Sequence, residues 1–225
     1  MDFNGVIIND EPIQMRAYQE ILGTEGIVLT EEDYYSCLGM DDITFIKAAY
    51  ARDSKAPPDG KVEEIRLAKS AKWREIVSQD GIPIFPGVEN FIRKCAKEFA
   101  VGIVSMARRD EIEYVLDSTG LRNCFPVIVS AEDVDSHKPD PACYLKGFGL
   151  IDSYRVRREH LPMVHGECLV VEDSPPGVVA GKRAGMWTLG VTNTVSEDAM
   201  REVGVDAVAK NISDWMPDSI HRVFA

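Results

Sequence analysis

The sequence predicts an α/β protein built on a doubly wound parallel sheet, interrupted near its start by a helical insert, and three observations carry that expectation. From about Phe99 onward, short apolar runs recur and are rich in Val and Ile. Helical patterns with recognisable start or stop signals separate them. The stretch from about Ile13 to Gln79 holds helical patterns and no convincing strand.

The apolar runs are "FAVGIVS", "FPVIVS", "CLVVED", "MWTLGVT" and "VDAVA". They are continuous rather than alternating, as expected of strands buried on both faces. Between them, "RRDEIEYVLDSTG" ends on Gly120, "DPACYLKGFG" begins on an Asp and a Pro, and "SPPGVVAGKRAG" places Pro175 after a Ser N-cap. These are helix boundaries, and strand alternating with helix argues for parallel crossovers. Residues 13–81 read as a helical domain inserted into a core of 1–12 and 82–225, because "PIQMRAYQEIL", "DDITFIKAAYAR" and "KVEEIRLAKSAKWREIVS" are helical patterns split by the turn-rich "SKAPPDG". The segment "LIDSYRVRREHLPMVHGE" reads as a long polar surface connection.

Composition narrows the function. The chain has 225 residues, 45% of them hydrophobic, and a net charge of -12, which suits a globular protein with a sizeable core. Such a charge argues against bulk affinity for nucleic acid or anionic membranes, since phosphate neutralisation needs clustered Lys and Arg. Cys37, Cys95, Cys124, Cys143 and Cys168 are scattered, with no C-x-x-C pair, so reduced thiols are expected rather than a disulfide framework or zinc site. No run approaches the roughly 20 apolar residues a membrane span needs, and no signal segment is evident. A cytoplasmic protein, monomeric or weakly dimeric, is the expectation.

In an open parallel sheet, ligands bind outside the carboxyl ends of the strands, so the residues closing the apolar runs are the candidates for chemistry. Ser105 closes "VGIVS", Lys138 follows "PVIVS" in "SHKPDP", Glu172 and Asp173 close "LVVEDS", and Asp2 stands near the start of the chain. Three converging carboxylates would repel one another and raise each other's pKa. A divalent cation resolves the conflict, and Mg²⁺ suits carboxylate and phosphate oxygens. Asp2 can then remain ionised and attack phosphorus, while Lys138 and Ser105 meet the oxygens of the transferring group.

These motifs, "DFNGVIINDEP", "GIVSMA", "SHKPDP" and "VVEDSPPGVVAGKRAGM" in that order, resemble the haloacid dehalogenase-like hydrolases, in particular the phosphatases and phosphomutases with a helical cap. The resemblance covers nearly the whole chain and implies a Rossmann-like core with an inserted α-helical cap. It implies that Asp2 is the nucleophile and a metal ligand. It also implies that the Asn4 backbone carbonyl and Asp173 bind Mg²⁺, with Glu172 supporting the metal or its waters. Ser105, with Met106 and Ala107 beside it, and Lys138 would hold the phosphoryl group. Cap residues around Gly39 to Asp42 would close over a small phosphorylated substrate and set specificity.

The sequence also departs from that family. A second Asp, which protonates the leaving oxygen and activates water, is usual two residues after the nucleophile; here the position is Asn4. An amide cannot exchange a proton near neutral pH. Asn9 stands where the family commonly has an acid, and Gln14 where a His is often found. Family members place several apolar residues before the nucleophile, so this short first strand is expected to leave neighbouring strand edges unpaired. A Mg²⁺-dependent phosphatase acting through an aspartyl-phosphate is the expected function. The alternatives are a sugar-phosphate mutase of the same fold, or a catalytically weakened protein that binds a phospho-ligand.

Overall fold

The computed structural model describes residues 1–37 and 40–224. The chain divides into two compact units, Met1–Asn9 with Ile84–Ala225, and Asp10–Pro83.

The second unit is helical. It contains α1 (Glu11–Thr24), α2 (Glu31–Tyr35), α3 (Asp42–Arg52) and α4 (Lys61–Asp80). Thr30 caps α2 by accepting from the Asp33 backbone N–H, while Asp41 caps α3 by accepting from Ile43 and Thr44. Side-chain oxygens thus satisfy N–H groups that have no intrahelical partner. Tyr18, Leu22, Phe45, Ile46 and Ile65 form a shared core, and α1 and α3 both pack on α4. Among the described residues of this unit there is no strand.

The larger unit holds α5 (Val88–Glu98), β1 (Gly102–Val104), α6 (Arg109–Thr119), β2 (Val127–Val129) and α7 (Ala142–Val156), followed by β3 (Leu169–Glu172), α8 (Pro175–Arg183), β4 (Trp187–Val191), α9 (Glu197–Glu202), β5 (Ala207–Ala209) and α10 (Pro217–Phe224). All strand pairings are parallel, β1 with β2 and β3 with β4 with β5. Each strand falls inside one of the apolar runs, and β1 and β2 are buried along their whole length. α7 packs on β1 and β2, and α8 on β3 and β4. Val104, Val129, Tyr144, Val170 and Ala180 meet in the core between these elements. Gly120 ends α6 at φ 65°, a left-handed C-terminus that glycine adopts without steric cost.

Two expectations need revision. The connection starting at Leu150 is helical in its first half, because α7 runs on to Val156; only the part beyond it is irregular. The strand edges beside Asp2 are not left unpaired at its level. The Met1 nitrogen donates to Gly102 O at 2.8 Å. Val104 N–H donates to Met1 O at 3.0 Å, and Asp2 N–H to Val171 O at 2.9 Å. Residues 1 and 2 therefore bond to β1 on one side and β3 on the other.

Candidate active site

Asp2, Ser105, Lys138, Glu172 and Asp173 are all buried, and strand geometry gathers them. Asp2 joins β1 to β3, Ser105 follows β1, and Glu172 with Asp173 ends β3. Carboxylate oxygens of Asp2, Glu172 and Asp173 lie within 4.8 Å of one another.

Lys138 is the cation among them. Its Nζ lies 2.6 Å from Glu172 Oε1 and 3.1 Å from Asp2 Oδ2, and it donates to Val104 O at 3.3 Å. Burial alone would lower its pKa, but the charges of Asp2 and Glu172 outweigh this and hold it above the ordinary lysine value. Lys138 therefore stays charged at neutral pH.

The carboxylates feel the opposite imbalance. Burial raises the pKa of Glu172 despite its pairing with Lys138. Asp173 is raised well above the usual carboxylate value by burial, with the charges of Glu172 and Asp2 adding to it. A single lysine against three buried acids leaves negative charge uncompensated. Hard carboxylate oxygens with too little positive charge fit a divalent cation of the Mg²⁺ type. Asp2 and Asp173 are the better placed to hold one, because Glu172 is already engaged. Its Oε1 also accepts from the Tyr144 hydroxyl at 2.5 Å, and its Oε2 from Ser174 Oγ at 3.0 Å.

The loop after β1 borders this cluster through Ser105, which bonds Asn4. Ser105 N–H donates to Val129 O at 2.9 Å, fixing the loop to β2. Ser105 Oγ accepts from Ala107 N–H at 3.2 Å and donates to Asn4 Oδ1 at 3.4 Å. Met106 lies beside His137, whose Nδ1 is 3.1 Å from the sulfur. Asn4 thus presents its carbonyl oxygen to Ser105. Gly39 lies outside the described residues.

Three supporting residues escaped the sequence reading. Tyr144 reaches Glu172 from α7. Thr194 donates a hydroxyl hydrogen bond to Asp173 Oδ2, and Asn193 Nδ2 donates to Gly5 O at 2.8 Å. The last two follow β4, whose carboxyl end adjoins that of β3. The available signal was "VTNT", polar residues just beyond an apolar run.

Two glycines let the acids come this close. At Gly5, φ is 69° and a Cβ would lie 1.8 Å from Asp173 Oδ2. At Gly177 a Cβ would lie 1.9 Å from Glu172 Cδ. A side chain at either position would enter a carboxylate.

Comparison with known proteins agrees with the fold. Residues 1–191 match the family described as haloacid dehalogenase-like hydrolase. The Arabidopsis thaliana protein SUPPRESSOR OF QUENCHING 1, chloroplastic, is 29% identical over 95% of this chain, which spans only 19% of that protein's length. Validoxylamine A 7'-phosphate phosphatase of Streptomyces hygroscopicus subsp. limoneus is 24% identical, over 95% of this chain and 92% of its own. Among solved structures, a β-phosphoglucomutase from Clostridium difficile superposes with a TM-score of 0.81 at 16% identity, covering 99% of this chain and 94% of that one.

Proposed function

Because this chain belongs to the haloacid dehalogenase-like hydrolase family, we propose that it is a Mg²⁺-dependent phosphatase of a small phosphorylated, sugar-like metabolite, working through an aspartyl-phosphate at Asp2. The observation that carries the reading is the buried cluster in which Asp2 faces Lys138 at 3.1 Å, with Glu172 and Asp173 alongside. The activity named for the Streptomyces relative, a phosphatase of validoxylamine A 7'-phosphate, supports a small phosphorylated substrate.

In this reading Asp2 Oδ attacks phosphorus and the bond from phosphorus to the substrate oxygen breaks, leaving phosphate on Asp2. Lys138 and Ser105 hold the phosphoryl oxygens as charge redistributes. Glu172, anchored by Tyr144 and Ser174, keeps the Lys138 ammonium beside the nucleophile. Asp2, Asp173 and the Asn4 backbone carbonyl would hold Mg²⁺, which when bound neutralises the acids and polarises phosphoryl oxygens. The leaving substrate oxygen takes its proton from solvent; water then attacks phosphorus, the bond from phosphorus to Asp2 Oδ breaks, inorganic phosphate leaves, the water's proton passes to solvent and the Asp2 carboxylate is restored.

Asn4 favours slow chemistry in both steps, since its amide neither protonates the leaving oxygen nor activates the water. Losing a general acid-base typically costs about 10² to 10⁴ in rate, so slow turnover or a persistent phospho-enzyme is expected. The same feature keeps open a mutase, which returns the phosphoryl group, and a weakened binding protein.

The test is phosphate release from an aryl phosphate and a panel of sugar phosphates with Mg²⁺ or EDTA, using the wild type, Asp2→Ala and Asn4→Asp. Activity is expected to need Mg²⁺, to vanish in Asp2→Ala and to rise in Asn4→Asp by about 10². Equal rates for the wild type and Asp2→Ala would remove the nucleophile assignment.

A further inference from the structure

A second place in the larger unit gathers cations rather than acids. Arg109 from α6, Arg122 from the 3-10 turn Arg122–Cys124, and Arg157 just beyond α7 line one cavity of about 250 Å³, with Leu150, Pro126 and Tyr154 among its other walls. No carboxylate lines it, although the chain carries a net charge of -12.

The local charges do not cancel. Arg109 pairs with Asp133, and Glu113 is shared between Arg109 at 3.8 Å and Arg122 at 3.3 Å. Arg157 makes no ion pair among the described residues. Arg158 lies 3.8 Å over the Tyr154 ring, placing another cation against a residue of the lining. Arg109 is also aimed, since its Nη2 donates to Ile128 O at 3.1 Å. That contact covers a carbonyl of β2, so a strand-adding peptide is not the natural occupant.

We propose that this cavity is an anion-binding site, separate from the Asp2 cluster, for a compact dianion such as a phosphate, phosphonate or sulfate group carried on a small apolar body. Guanidinium forks match the oxygens of such a group in pairs of hydrogen bonds. Pro126, Leu150 and Tyr154 receive the apolar part. The volume falls just below the range of drug-sized pockets, about 300 to 1,000 Å³, which points to a small ligand. An anion there competes with Asp133 and Glu113 for Arg109, whose helix begins four residues after Ser105.

The experiment titrates the ¹⁵N-labelled full chain with phenylphosphonate, which has no ester bond to hydrolyse, and in parallel with sodium sulfate, at constant ionic strength set by chloride. Saturable shifts are expected in the side-chain Nε–H signals of Arg109, Arg122 and Arg157 and in the Ile128 amide, with phenylphosphonate binding more tightly than sulfate. Arg157→Glu and Arg122→Glu should each weaken that binding at least tenfold, while shifts at Asp2 and Ser105 from binding in the catalytic cluster stay as in the wild type. An amide spectrum with native dispersion shows that each variant is folded. Shifts that chloride reproduces, or a loss of less than tenfold in the folded variants, would overturn the proposal. Because its signals are read separately from those of Asp2 and Ser105, failure here leaves the phosphatase reading standing, and the reverse holds too.

Discussion

At Gly177, the third residue of α8, the absent side chain is the important feature. A Cβ there would overlap the Glu172 carboxylate, and that carboxylate holds Lys138 beside Asp2. Gly177→Ala is expected to destabilise the fold by about 1 to 3 kcal/mol through overpacking and to lower kcat more than KM, since Lys138 shifts relative to the nucleophile. Urea unfolding and steady-state kinetics check the two parts. The same cluster makes stability depend on pH. Asp173 and Glu172 bind their protons more tightly in the folded, metal-free chain than when unfolded. This contribution is full below the unfolded value, about 4 for a carboxylate, and is lost as pH rises through the raised folded values. In EDTA, the stability advantage of Asp173→Asn over the wild type should therefore be greater at pH 8 than at pH 5, and Mg²⁺ should stabilise the wild type most at the higher pH. Thermal melts that show the advantage growing toward low pH would contradict this.

Among the elements, α8 does two jobs with one residue. Ser174 caps the helix by accepting from Gly177 N–H at 3.3 Å and donates to Glu172 Oε2 at 3.0 Å. Ser174→Ala is expected to cost about 0.5 to 2 kcal/mol in stability, as lost caps do, and also to reduce activity; Ser174→Thr should restore most of both. Denaturant midpoints and rates distinguish this from a purely structural cap, which would move stability alone. The elements also show why some of the site was readable in the sequence. Ser105, Glu172 and Asp173 end apolar runs, and the end of a parallel strand has a fixed meaning. Tyr144 lies inside a helix, where only the packing of α7 on β1 and β2 brings its hydroxyl to Glu172. No local pattern carries that information. The polar stretch after Leu150 misled for a related reason: its exposed side chains hide a helix whose buried anchors, Cys143, Tyr144 and Gly147, lie further back.

For the whole molecule, the net charge of -12 opposes the approach of an anionic substrate, because the summed field acts beyond any single contact. Raising monovalent salt from about 0.01 M to about 0.1 M shortens the screening length from about 30 Å to about 10 Å. With Mg²⁺ held saturating, kcat/KM for a sugar phosphate is therefore expected to rise over that interval, while kcat stays nearly constant. A fall in kcat/KM would show that local cations govern capture instead. The helices α1 to α4 were legible from the helical period of residues 13–79, whereas the placement of residues 1 and 2 was not. Their backbone groups are satisfied by β1 and β3, which lie about 100 and 170 positions away in the chain, and such pairing leaves no trace in a short sequence window.

That pairing makes the peptide groups around Asp2 a reporter as well as a support. Val104 N–H is sheltered only while it bonds Met1 O, and Asp2 N–H only while it bonds Val171 O. Deuterium uptake at those two amides would therefore register separation of the seam between β1 and β3, and with it dispersal of Asp2 from Lys138, Glu172 and Asp173, with no substrate present.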